Sequence, residues 1–165
     1  MYAKRMTLML VVVLISVFAL AKDKPRYKSV EVKHFTQVEG VELSPQFSDF
    51  LYAELKTELK KSGMFEEILT EDEVVDPADA ERSLIVDGSV LEYKKGSVAK
   101  EVIIGFGAGR RSLRAQLNVQ RRSNQSNLLQ KELKVKTSSR VDEKLLARQL
   151  AKSIVHEMKD QLQSN

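Results

Sequence analysis

The chain has 165 residues, enough for one domain with a real apolar core, and it contains no cysteine. With His34 and His156 its only histidines, disulfide and thiol chemistry are excluded, a structural zinc site is not expected, and neither is a cofactor. The net charge of +4 is too small to argue for nucleic acid as a partner.

Residues 1–21 open with Lys4 and Arg5, run apolar from Met6 to Leu20 with only Thr7 and Ser16 in between, and close on Ala19-Leu20-Ala21. This is the pattern of a secretory signal peptide, with cleavage expected before Lys22 and a short flexible segment over 22–26. The apolar run of about fifteen residues is short for a spanning helix, which needs ~20, so stable membrane insertion is not expected after cleavage. The alternative is an uncleaved N-terminal anchor in the inner membrane. Position 22 is lysine where a bacterial lipoprotein carries its lipidated cysteine.

A single domain is expected over 27–162. Tyr27 to Phe35 alternates as a first strand, and Thr36 to Leu43 is a loop. Ser44-Pro45 starts a helix, with serine as the cap and proline at the first helical position. Phe47, Phe50, Leu51, Leu55 and Leu59 recur at helical spacing until Gly63 ends the helix. Met64 to Leu69 is a second strand, and Thr70 to Glu81 is an acidic, solvated connection with a helical turn after Pro77 as an option; its spacing does not fit a calcium loop. Ser83 to Tyr93 is a third strand, apolar enough on both faces to be central. The fourth strand ends at Arg122, a polar turn follows, and Leu129, Leu133 and Val135 mark the fifth. Leu146, Leu150, Ile154, Met158 and Leu162 step by four along a final amphipathic helix with an acidic start at Asp142-Glu143.

Between the third and fourth strands lies Val102-Ile103-Ile104-Gly105-Phe106-Gly107-Ala108-Gly109-Arg110-Arg111, read as an apolar run leading into the sheet. The tract is not a dinucleotide fingerprint, because Arg110 stands at the third glycine and the alternating residues from Leu113 to Val119 form a strand, not a helix. It lacks the Gly-Lys-Ser/Thr end of a phosphate loop as well. Two readings stand. Gly105, Gly107 and Gly109 mark a bulge, bend or close backbone approach, or they line an anion nest beside Arg110 and Arg111.

The run Leu84-Ile85-Val86-Asp87-Gly88-Ser89-Val90, followed by Ile104-Gly105-Phe106-Gly107-Ala108-Gly109 and an alternating strand, resembles a bacterial family called domain of unknown function 4410. The resemblance covers Val30 to about Leu162 and implies an envelope protein, many members being lipoproteins. The layout is also similar to the N-terminal domain of the Tol translocation protein B and to the curli-secretion lipoprotein, in which a mixed sheet carries helices on one face. The resemblance supplies no functional residues.

The expected fold is therefore α/β (α+β): two layers, a mixed and mainly antiparallel five-stranded sheet, and two amphipathic helices on one face. The other face is left open and polar. The expected function is that of an exported, periplasmic or secreted, non-enzymatic envelope protein that binds other envelope proteins, itself among them. The alternatives are a binder of an anionic envelope ligand and, third, an enzyme of unknown type, for which no convergent acid, base or nucleophile is visible. The candidate binding residues are Gly105, Gly107, Gly109, Arg110, Arg111, Arg114, Arg122 and Lys134, with Arg121 and Lys136 beside them. No catalytic or metal-ligating residue is assigned.

Overall fold

The structure is a computed structural model that describes residues 27–104 and 109–163. The expected signal peptide, its cleavage site, the 22–26 segment, Gly105 and Gly107 lie outside the described residues.

The elements are β1 (Ser29–Val32), β2 (Thr36–Gln37), α1 (Gln46–Ser62), β3 (Glu67–Leu69), a 3-10 turn (Pro77–Arg82), β4 (Ser83–Lys94), α2 (Val98–Ile104), β5 (Arg111–Arg121), β6 (Asn127–Thr137) and α3 (Glu143–Gln163). One six-stranded sheet runs in the order β3-β1-β4-β5-β6, with β2 also on β4. The short strands pair in parallel, whereas β4–β5 and β5–β6 are long antiparallel ladders. The fold is thus the mixed two-layer α/β arrangement expected, with one strand more.

The extra strand, β2, begins the segment from Thr36 to Leu43 expected to be a loop, and the expected first strand is shorter, ending at Val32. Between Val32↔Val86 and Thr36↔Ser89 the first segment advances four residues and β4 only three, so one residue has no partner. The slack lets Phe35 turn inward, where it is 4% exposed and fills the space above Gly88. β4 is central, as its two partly apolar faces predict.

The core lies between the sheet and the α1/α3 layer. Phe47, Leu51, Leu55 and Leu59 meet Leu146, Leu150, Ile154 and Met158, and both stripes cover Val30, Val86, Val90, Leu113, Leu117 and Val119. Gly63 closes α1 in the left-handed conformation, φ 65°. The start of α1 differs from expectation. Pro45 is the cap and no side chain caps the helix. The Ser44 hydroxyl instead donates to Glu143 Oε2 at 2.5 Å, tying the beginning of α1 to the beginning of α3. Asp142 does cap α3, its Oδ1 accepting from Leu145 N at 2.8 Å.

Two further expectations are corrected. The apolar run before Gly105 does not lead into the sheet but forms α2. Ser97 starts this helix, its carbonyl accepting from Glu101 N at 3.0 Å, and periodicity over so few residues does not separate strand from helix. The acidic connection is not simply a solvated linker. The 3-10 turn after Pro77 is present, with Asp76 Oδ1 capping Ala78 N at 2.9 Å. Lys28 reaches Asp79 at 2.5 Å, and Arg122 donates to the Glu73 carbonyl at 2.8 Å, so the segment is fastened over the β1 end of the otherwise open face.

Candidate functional site

Alternation in β5 sends Leu113, Ala115, Leu117 and Val119 to the helices and Arg114, Gln116, Asn118, Gln120 and Arg122 to the other face. Across the ladders this second face continues with Asp87 and Ser89 on β4 and Gln130, Glu132 and Lys134 on β6. It is polar, and much of it is internally satisfied. Asp87 accepts from Asn118 Nδ2 at 2.9 Å and Gln120 Nε2 at 3.1 Å. Arg114 Nε donates to Glu92 at 2.6 Å and its Nη1 to Glu132 at 2.9 Å, making a three-strand bridge. Lys94 and Arg114 hold the Glu92 carboxyl below the ordinary carboxylate range, and the same pairing raises Arg114 above its ordinary value.

The candidate residues therefore do not form one cationic patch. Arg122 leaves it first: its Nη1 bonds Glu31 at 2.5 Å, and the Glu31 side chain is only 3% exposed. Arg121 lies over the Tyr27 ring at 5.9 Å and reaches Glu81 at 3.9 Å. Arg111 is on the helix side at the opposite end of β5, roughly 35 Å along the strand from Arg122. Its Nε is buried without a partner, and so is Oγ1 of Thr137, the residue opposite it in register. Lys134 is exposed, next to Arg114 in register. Arg110 is exposed just outside β5.

Gly109 is the candidate glycine that the structure describes, and its backbone takes a conformation that favours glycine. Its φ is +77°, its carbonyl accepts from Ser97 N at 2.6 Å, and a Cβ there would stand 2.3 Å from the Ser97 carbonyl oxygen. Gly96, φ +56°, faces it across the same closure. The pair pinches the β4–β5 connection at its base, and α2 projects from the pinch.

One anchor of α2 was invisible in the sequence. Glu101 Oε2 accepts from both the backbone amide and the hydroxyl of Ser139, on the turn between β6 and α3. These donors, followed by the smaller effects of Ser138 and Arg110, hold the Glu101 carboxyl below its ordinary range. A lowered folded-state value means that the attachment is complete above the ordinary carboxylate pKa and is lost as pH falls through the lowered one. Following the Ser139 amide by NMR through an acid titration should give a midpoint below about 4.5. A midpoint at or above that value would show that Glu101 is not held there.

The arrangement around His34 was equally illegible in the sequence. Its ring stacks on Tyr52 with centroids 4.1 Å apart, Nδ1 meets Glu71 at 2.8 Å, and Nε2 stands 3.7 Å from Asp49. His34 and Glu71 border a shallow hollow of about 380 Å³ with Lys33, Thr36, Asp87 and Asn118. Both ring nitrogens face carboxylates, and neither is bonded to a hydroxyl that could serve as a nucleophile. Among the described residues no group of three histidine, aspartate or glutamate side chains is placed to hold a metal ion.

A six-stranded mixed sheet with two long helices on one face defines the class: a two-layer α/β domain. The chain belongs to the family described as Domain of unknown function (DUF4410), whose model matches residues 36–140. No curated protein matches it in sequence. Among solved structures it is similar to the PelC dodecamer from Paraburkholderia phytofirmans, with TM-score 0.55, 14% identity, and 79% of this chain and 87% of that one covered. It is also similar to the hypothetical protein CT253 from Chlamydia trachomatis, with TM-score 0.57, 14% identity and coverage of 84% and 99%. Protein XCC0632 from Xanthomonas campestris gives TM-score 0.57 at 11% identity, with coverage of 87% and 91%. At these identities the likeness is one of fold.

Proposed function

We propose that this protein is exported to the cell envelope and acts there as a non-enzymatic assembly module that binds other envelope proteins, copies of itself among them. The observation that carries this reading is the uncovered face of β4, β5 and β6, a broad polar surface on which Asp87, Glu92, Arg114 and Glu132 are already paired while Lys134 and Lys136 stay exposed. Such a surface suits contact with another protein better than capture of a small substrate. The N-terminal pattern of residues 1–21 supports export. The dodecameric state of the PelC protein, which shares the fold, supports self-association. The paired carboxylates around His34 leave no free nucleophile and base together, which favours binding over catalysis.

Lysine-directed cross-linking in intact cells tests this, because Lys134 and Lys136 are exposed on the uncovered face of β6. Cross-links from them to a second chain are the expected result, together with sedimentation as more than a single chain. Cross-links confined to one chain, with sedimentation as a monomer, would refute the assembly role. A second reading, capture of an anionic group, is favoured by the unpartnered Arg111 Nε and Thr137 Oγ1. Inorganic phosphate added to the same preparation separates the two, since only the second reading has it raise the melting temperature.

A further inference from the structure

The helix α2 is turned inside out. Its carboxylate, Glu101, points to the protein and is held by Ser139, while Val98, Val102 and Ile103 are 47, 62 and 82% exposed. Ala99, also exposed, stands one turn from both Val102 and Ile103, so these three form the face turned away from Glu101, with Val98 at its edge. Among the described residues this face is left uncovered, as at an interaction surface.

The charges around the patch indicate what that partner is. Lys95 and Lys100 are exposed beside it, and Arg110, Lys136 and Arg140 are exposed at the same end of the sheet, where β4 ends, β5 begins and β6 ends. Four acids at this end are engaged, though one of them, Asp142, is exposed, as are Glu39 and Glu42. Glu92 lies between Arg114 and Lys94, Glu101 is held by Ser139, Asp142 caps α3, and Glu143 is bound by Ser44. The helix α2 therefore carries an apolar face flanked by the exposed cations Lys95, Lys100 and Arg110, the combination that docks on an anionic lipid surface.

We infer that α2 is a membrane-docking tip: Val98, Val102 and Ile103 enter the interface of a bilayer containing anionic lipid, and Lys95, Lys100 and Arg110 lie against its headgroups. The closure at Gly96 and Gly109 and the Glu101–Ser139 attachment fix the tip to the domain. Docking here leaves the β4–β6 face free for protein contacts, so this inference stands apart from the assembly reading.

The chain contains no cysteine, so Ile103→Cys in the full chain gives a single labelling site for an environment-sensitive fluorophore. The apolar run of residues 6–20 can bring the chain to any bilayer, and for that reason the readout is local to position 103. The expected result is a blue shift with phosphatidylglycerol-containing vesicles that is much smaller with phosphatidylcholine alone and falls as salt is raised. Adding Lys95→Glu and Lys100→Glu should raise the vesicle concentration for half-maximal shift by at least roughly 25-fold, at roughly fivefold for each lysine lost, with the new carboxylates adding repulsion. Both reversals are at exposed positions, so the fold is retained. An equal shift with both lipids, or no shift with either, would overturn the inference. So would a blue shift without vesicles that grows with protein concentration, because a second copy would then cover the patch.

Discussion

Replacing Gly88 with alanine should lower stability by about 3 kcal/mol, read as a drop in the urea midpoint at constant slope. A Cβ at this position would stand 2.2 Å from the carbonyl oxygen of Gln116 and 2.4 and 2.8 Å from the Phe35 ring. Neither neighbour can give way cheaply. The oxygen belongs to β5, hydrogen-bonded to strands on both sides, and Phe35 is buried where the break between β1 and β2 places it. The glycine thus serves packing, since its backbone φ is unremarkable and the space its side chain would need is already filled. Ser89→Ala, one residue further along β4, is the control and should change stability by less than about 0.5 kcal/mol. Equal effects at the two positions would show that the close approach to Phe35 and Gln116 does not exist in solution.

Arg122→Ala should cost about 3–5 kcal/mol, as expected when a buried ion pair loses one member. Glu31 is 2% exposed on the face away from the helices, and its carboxylate meets Arg122 at 2.5 Å while also accepting from the Asp72 amide at 3.3 Å. Without the guanidinium a carboxylate would remain buried with one weak donor. The Glu73 carbonyl would lose its contact as well, loosening the acidic segment over the sheet. Combining Arg122→Met with Glu31→Gln should recover much of the loss, because the pair contributes little net stability and the penalty comes from leaving one charge alone. If Arg122→Ala were as mild as a change at Arg114, the buried pair would be refuted. Arg114 has two partners, but all three side chains are a third or more exposed, and such bridges contribute about 0–1 kcal/mol.

Arginines on one strand that look alike in sequence thus differ severalfold in expected effect, and this marks the limit of the sequence reading. Alternation correctly assigns Arg114 and Arg122 to the face opposite the helices, because side-chain direction along a strand is a local property. What each arginine meets there is not local. Glu31 is 91 residues from Arg122, Glu101 is 38 from Ser139, and Glu143 is 99 from Ser44. An expected basic patch therefore became one buried pair, one exposed bridge, one residue against an aromatic ring and one turned toward the helix layer.

The two helical stripes, the left-handed end of α1 at Gly63, the central position of β4 and most of the core were legible in the residues alone. Each of these follows from hydrophobic periodicity or from the backbone preference of a single residue. Three features required the folded chain: the break between β1 and β2 that lets Phe35 sit over Gly88, the acidic segment that closes one end of the open face, and the helical form of Val98 to Ile104. For α2 the reason is length. Seven residues contain too few repeats to tell a period of two from one of 3.6, so its form and its outward apolar face are set by the closure at Gly96 and Gly109 and by the serine that holds Glu101.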